Sequence, residues 1–217
     1  MQFSRNKLIT SCEVLKDALN KRKFITYATV NSFRISSSFK IKFLFLADGW
    51  PVSLYSSIIN LKKVHRLSFY KLRRFWLDTS KSNRCAIVGY SEDELKRVIE
   101  LGYEKGINFI FHSDGYKSTT QLVKFIEEIH DSVDLVFLGT GQPKQEEIMQ
   151  QLSHLEGKIS IISCGAFWLQ ELGIKKEVTG LFTFLRIVSI GRFHNQPLEL
   201  FKRTFLSLPF MFLNLKK

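Results

Sequence analysis

The chain has 217 residues, of which 45% are hydrophobic, 24% charged and 13% aromatic. That is enough to bury one sizeable core and too little for two full ones. The 12 glycines and 4 prolines exclude collagen-like and low-complexity chains, and 20 phenylalanines argue against disorder. The formal net charge of +12 is uneven: residues 1–75 carry 15 Lys and Arg against 3 Asp and Glu, residues 76–174 carry 9 against 15, and residues 175–217 carry 8 against 2. Two basic ends around an acidic middle suggest a phosphate-rich partner: nucleic acid, nucleotide or anionic lipid. The cysteines Cys12, Cys85 and Cys164 are odd in number and far apart, which reads as reduced thiols in a cytosolic protein. No N-terminal segment has the layout of a signal peptide, and no run reaches the ~18 apolar residues of a membrane-spanning helix.

Short apolar, β-branched or aromatic runs punctuate the chain, beginning with Phe24–Val30 and Phe43–Ala47. The second run is followed by Ala47-Asp48-Gly49-Trp50-Pro51, where Asp48 would stand at a strand's carboxyl end, a place for a general base; alone, Asp-Gly also reads as a turn. Segment 54–76 then mixes basic and apolar residues at helical spacing, as a surface helix with a solvated basic face or as a contact for anionic lipid or phosphate. The strand candidate Cys85–Val88 leads into Ser91-Glu92-Asp93-Glu94, a capping box before the apolar face of Leu95, Val98, Ile99 and Leu101. Asn108–Phe111 is the next strand candidate, with His112-Ser113-Asp114-Gly115-Tyr116 after it. Tyr116 in that turn could stack on a base or hydrogen-bond a diphosphate. Leu122, Phe125, Ile126 and Ile129 give another amphipathic helix, then Leu135–Leu138 another strand.

That strand runs into Gly139-Thr140-Gly141-Gln142-Pro143-Lys144-Gln145-Glu146. The block opens a helix near Pro143, whose glycines would let the backbone approach a ligand and whose free N–H groups would face an anion. It is neither a full Gly-x-Gly-x-x-Gly nor a phosphate-binding P-loop. The polar tetrad on the first helical turn is unneeded for packing, so it marks function. A last strand candidate, Ile159–Ser163, follows. Strand–helix–strand repetition predicts an α/β fold with a Rossmann-like, doubly wound, mostly parallel sheet, its ligand at the carboxyl ends of the strands. The chain divides into a core, 1–180, and a C-terminal appendage, 181–217. In the appendage Thr204–Leu215 carries no charge over 12 residues and lies between Lys202-Arg203 and Lys216-Lys217. It reads as an interfacial membrane contact, or as a packing segment or contact of a homo-oligomer.

The five histidines show no metal-ligand spacing, there is no Gly-x-Ser-x-Gly elbow or Asp-x-Asp, and Cys164 has no positioned histidine partner. The residues together resemble the WecG/TagA/CpsF family of bacterial glycosyltransferases. Four blocks stand in that family's order: Thr29-Val30-Asn31, Ala47-Asp48-Gly49, Asp114-Gly115-Tyr116 and the Gly139–Glu146 block. The resemblance implies a cytoplasmic enzyme, peripheral at the inner face of the plasma membrane, that performs a metal-independent, inverting transfer without a cofactor. Its donor would be a UDP-sugar, and its acceptor a polyprenyl-diphosphate-linked sugar at an anionic membrane surface, in surface polysaccharide synthesis. It maps the base onto Asp48, with Thr29 and Asn31 beside it. It maps donor binding onto Asp114, Tyr116, Gly139, Thr140, Gly141, Pro143, Lys144, Gln145 and Glu146, and diphosphate binding onto Arg192 and Arg203. The sequence departs from the family after Cys164-Gly165-Ala166-Phe167, where Trp168 stands in place of the usual Asp. The rival readings are another nucleotide-binding enzyme on the same fold, which would want a complete glycine fingerprint, and a basic nucleic-acid-binding module. The second leaves Asp48, Tyr116 and Lys144-Gln145-Glu146 without a purpose, so no nucleic-acid partner is expected.

Overall fold

The computed structural model describes residues 8–28, 44–48, 67–69 and 71–175, with Ser32, Val52 and Ser57 as single positions. Thr29, Asn31, Arg192, Arg203 and the whole appendage lie outside the described residues, as does most of segment 54–66. The described residues form the strands β1 (Leu8–Ile9), β2 (Phe24–Ala28), β3 (Leu44–Ala47), β4 (Cys85–Gly89), β5 (Phe109–Ser113), β6 (Leu135–Gly139) and β7 (Ser160–Ser163). Their helices are α1 (Cys12–Asn20), α2 (Arg73–Lys81), α3 (Glu92–Glu104), α4 (Thr119–Ile129), α5 (Lys144–Gln151) and α6 (Phe167–Glu171).

The strands make one open sheet in the order β1-β3-β2-β7-β6-β4-β5, every pair parallel. Parallel strands need crossovers, and the crossover helices cover both faces. Alternate residues of each strand therefore enter different cores. Phe24, Ala86, Val88, Val136, Leu138 and Ile161 pack with α4 and α5. Ile25, Cys85, Ile87, Leu135, Phe137 and Ile162 pack with α1, α2, α3 and α6.

Local signals set the helices in register with the sheet. Ser91 and Glu94 close the expected capping box on α3. A second box, Ser118 with Gln121, starts α4 and reveals itself only with the helix in place. Strand β5 runs two residues beyond its apolar stretch because Val88 of β4 pairs with Ser113, so Asp114 rather than His112 is the first residue after it. Strand β1 is too short to be announced by any apolar run. In the described part of the basic segment, Phe69, Leu72 and Trp76 are buried, and Phe69 stacks on Trp76 at 4.3 Å. Those residues form a core-facing helix start, with Arg74 turned to solvent. Trp168 is fully buried among Phe109, Phe137 and Phe167. Among the described residues no helix is long and apolar enough to cross a membrane.

The amino ends of the strands are tied by Asp134, just before β6. Its carboxylate accepts from Arg22 Nη2 at 2.9 Å and from Arg84 Nε at 3.0 Å, and its carbonyl accepts from Arg22 Nη1 at 2.8 Å. Arg22 precedes β2 and Arg84 precedes β4, so one carboxylate joins three strand starts. The Arg84 hydrogen bond is the chief cause that lowers the Asp134 carboxyl from its ordinary 3.8 to about 2, with Arg22 adding to it. A folded-state value below the unfolded one means that the ionised form stabilises the fold. That contribution is complete above pH 3.8 and is lost as pH falls through about 2. Asp134→Asn is expected to lower the melting temperature at pH 7 and to flatten the loss of stability between pH 4 and pH 2, as read by circular dichroism melts across that range.

Candidate functional site

The sheet's order puts β4 between β5 and β6. The chain leaves β4 toward β5 on one side and returns to β6 on the other. The crevice at the carboxyl ends of β4 and β6 is thus the topological switch point, where open parallel sheets hold ligands. Three glycines meet there. A Cβ on Gly89 would lie 2.6 Å from the Gly139 Cα, and one on Gly115 would lie 2.9 Å from the Gly89 Cα. These approaches are closer than any side chain allows, so glycine is required by backbone packing.

Tyr90 then turns into the crevice with φ +66°, an unusual conformation for a tyrosine. Its ring covers Gly139, where a Cβ would stand 2.7 Å from the ring. Its hydroxyl donates to the Gly165 carbonyl at 2.8 Å and lies 3.4 Å from Cys164 Sγ. Gly139 was expected to admit a ligand; it admits the protein's own tyrosine, which fastens β4 to the turn after β7. Gly141 differs: φ is +77° and, among the described residues, nothing lies within 4 Å of where its Cβ would be. This glycine serves a left-handed turn beside open space.

On the other side of β7, Asp48 is half-buried one residue past β3, its N–H donating to the Leu46 carbonyl at 2.8 Å. A Cβ on Gly165 would stand 3.6 Å from the ring of neighbouring Tyr27 of β2. Burial chiefly pushes the Tyr27 hydroxyl well above its ordinary value, and its electrostatic interactions with Cys164, Asp48 and Glu146 push the same way. Burial raises the Cys164 thiol to about 12, so it stays protonated and unreactive at neutral pH.

A buried polar network joins β2 to the Gly139–Glu146 block. Glu146 Oε1 accepts from Thr26 Oγ1 at 2.9 Å, Gln142 Nε2 at 2.9 Å and Gln145 Nε2 at 2.8 Å. Gln142 also donates to Ser32 Oγ at 3.2 Å, which donates to the Tyr27 carbonyl at 2.7 Å. Burial raises the Glu146 carboxyl above its ordinary value, against the opposing pull of these hydrogen bonds. Three buried atoms of the block, Thr140 Oγ1, Gln145 Oε1 and Glu146 Oε2, have no hydrogen-bond partner among the described residues.

Lys144 and three amides of the first turn of α5, where free N–H groups were expected to face an anion, are bonded within the protein. Lys144 Nζ donates to the carbonyls of Gly115, at 2.8 Å, and Lys117, so it straps α5 to the turn after β5. The N–H groups of Gln145, Glu146 and Glu147 donate to the carbonyls of Gly141 and Pro143 at 3.0–3.1 Å. Pro143 stands at the N-cap of α5 after a cis peptide bond. Asp114 Oδ1 accepts from the Tyr116 N–H at 3.0 Å, a turn that leaves the Tyr116 ring 81% exposed at the carboxyl end of β5.

The described site residues therefore line one edge of the sheet, the ends of β3, β5 and β6. Thr26, Tyr27, Ser32 and the Gly89-Tyr90 pair were not anticipated. For Thr26 a signal existed, a polar residue inside the buried run Phe24-Ile25-Thr26-Tyr27-Ala28. Tyr90 had none. Among the described residues no three His, Cys, Asp or Glu side chains gather as a metal ion would require.

Gly139→Ala is expected to destabilise the fold by about 1–3 kcal/mol in urea titrations, because the new methyl must displace the Tyr90 ring. Tyr90→Ala should relieve most of that cost in the double variant. Additive losses would show that the ring does not set the requirement for glycine.

The profile of the Glycosyl transferase WecG/TagA/CpsF family matches residues 13–217, which includes strands β2 to β7, the Gly139–Glu146 block and the C-terminal stretch. Among curated proteins none matches the chain. The glycine-lined carboxyl edge, Asp48 at the end of β3 and the Pro-Lys-Gln-Glu turn thus stand in a sequence that matches one family along nearly its whole length, and the chain belongs to the WecG/TagA/CpsF family of glycosyl transferases.

Proposed function

We infer that the protein moves a sugar from a UDP-sugar to a polyprenyl-diphosphate-linked acceptor, with inversion and without a metal, in bacterial surface polysaccharide synthesis. The observation that carries this reading is the position of Asp48. It is a half-buried carboxylate at the carboxyl end of β3, next to the strand whose Thr26 holds Glu146. In the reaction the acceptor hydroxyl oxygen bonds to the anomeric carbon as the bond to UDP breaks. The bonding pair leaves on the diphosphate, and Asp48 takes the hydroxyl proton. One displacement inverts the anomeric centre and needs no covalent nucleophile, in keeping with a Cys164 thiol held protonated.

The departing diphosphate gains charge and requires fixed cations. The family resemblance gives this task to Arg192 and Arg203, whose planar forks suit phosphate. Arg203 adjoins the uncharged stretch Thr204–Leu215 and its flanking lysines, so the same appendage would meet an anionic membrane at the inner face of the plasma membrane, where the lipid-linked acceptor resides.

Asp48→Asn is expected to cut turnover by about 10²–10⁴-fold while UDP affinity is kept, as measured by UDP release with a short-chain polyprenyl-diphosphate sugar. Near-normal turnover would remove Asp48 as the base. Activity should persist in EDTA; loss that Mg²⁺ or Mn²⁺ restores would put the diphosphate on a metal instead of on arginines.

A further inference from the structure

Among the described residues other than glycine, only Arg22 and Tyr90 have positive φ, at 53° and 66°. Arg22 closes the turn after α1, and its guanidinium meets Asp134. Tyr90 follows β4 directly, at the switch point, and is 7% exposed. A left-handed backbone costs free energy in any residue with a Cβ and persists only where the surroundings over-determine it. Glycine in this position would remove that cost. What the tyrosine adds is its side chain.

The far end of that side chain lies over the backbone of Gly139. A Cβ on Gly139 would stand 2.7 Å from the ring's Cζ and 3.0 and 3.1 Å from its Cε1 and Cε2. The ring covers this glycine through two rotatable bonds, and its hydroxyl donates to the Gly165 carbonyl at 2.8 Å. It thereby fills the glycine-floored space between the ends of β4, β6 and β7. In open parallel sheets that space takes the ligand. Two residues on, at Gly141, the chain borders open space among the described residues. A strained residue whose ring occupies the place of a ligand has more than packing to explain it.

We propose that Tyr90 is an autoinhibitory plug, whose ring competes with the nucleotide of the donor for the crevice at Gly139. The ligand is named from the transferase reading above. The hydrogen bond to Gly165 favours the plugged state. Donor affinity is then reduced by the fraction of molecules in which the ring has left. Tyr90 so sets the nucleotide concentration at which the enzyme loads, without touching the reacting atoms.

Calorimetric titration of the full chain with UDP tests the plug. Tyr90→Gly removes the ring and suits the left-handed backbone. It should bind UDP about tenfold more tightly than the parent, a gain equal to one hydrogen bond that no longer has to break. Tyr90→Phe keeps the ring without its bond to Gly165 and should fall between the two. Unchanged UDP affinity in Tyr90→Gly would make the ring a brace alone and overturn the proposal. Weaker binding would make the ring part of the nucleotide site and overturn it as well. In both cases continued UDP release from a UDP-sugar leaves the transferase reading standing. If neither the parent nor Tyr90→Gly binds UDP or releases it from a UDP-sugar, that reading falls and the proposal with it. Should Tyr90→Gly lose its fold by circular dichroism, Tyr90→Phe decides: binding no tighter than the parent's overturns the plug.

Discussion

A carboxyl group that cannot reach water governs the carboxyl edge of this sheet. Glu146 sits on the first turn of α5 and is almost wholly enclosed, with three donors aimed at one of its oxygens. Burying such a group without partners would be costly, so the donors constrain one another. Thr26 must face α5 from β2, Gln142 must curl back over the turn, and Gln145 must point inward although it begins a helix. The turn after β6 is thereby locked to a strand 120 residues earlier in the chain. Side chains that propensity would leave on the surface become the buried frame of a site.

The two edges of the sheet solve opposite problems. At the amino edge Asp134 is matched by Arg22 and Arg84, with each oxygen satisfied and the carboxyl held ionised. At the carboxyl edge burial raises Glu146 and leaves its second oxygen unmatched, together with Thr140 and Gln145. A satisfied network contributes stability, whereas buried groups left without a partner cost it. The contrast separates the two ends of a sheet whose two faces both carry a packed core.

The switch point itself is occupied by the protein. Tyr90 accepts a left-handed backbone to lay its ring on Gly139 and its hydroxyl on Gly165. The ends of β4, β6 and β7 are braced against each other, and the contact reaches Tyr27 and the neighbourhood of Asp48 through the turn at Gly165. The crevice that the topology creates is thus filled by the protein itself, with Asp48 on the far side of β7.

The sequence by itself determined the layered α/β fold. Buried parallel strands are continuous apolar runs such as Cys85–Val88 and Leu135–Leu138, and the helices between them carry a 3.6-residue apolar period and caps such as Ser91 with Glu94. It also singled out Asp48 and the Gly139–Glu146 block, because polar residues directly after a strand have no packing reason to be there. Only the tertiary structure decided what each does within the fold. Gly139 reads as a ligand approach until Tyr90, 49 positions earlier, is seen on it. Lys144 reads as a donor contact from the sequence, and the structure puts its ammonium on the carbonyls of Gly115 and Lys117. Thr26 reads as one polar residue in an apolar strand until Glu146 arrives beside it. The physical reason is common to all three. Strand and helix formation depends on neighbours a few positions apart, which the sequence displays. The partner of a buried hydrogen-bonding group is chosen by strand order, and that order is a property of the folded sheet.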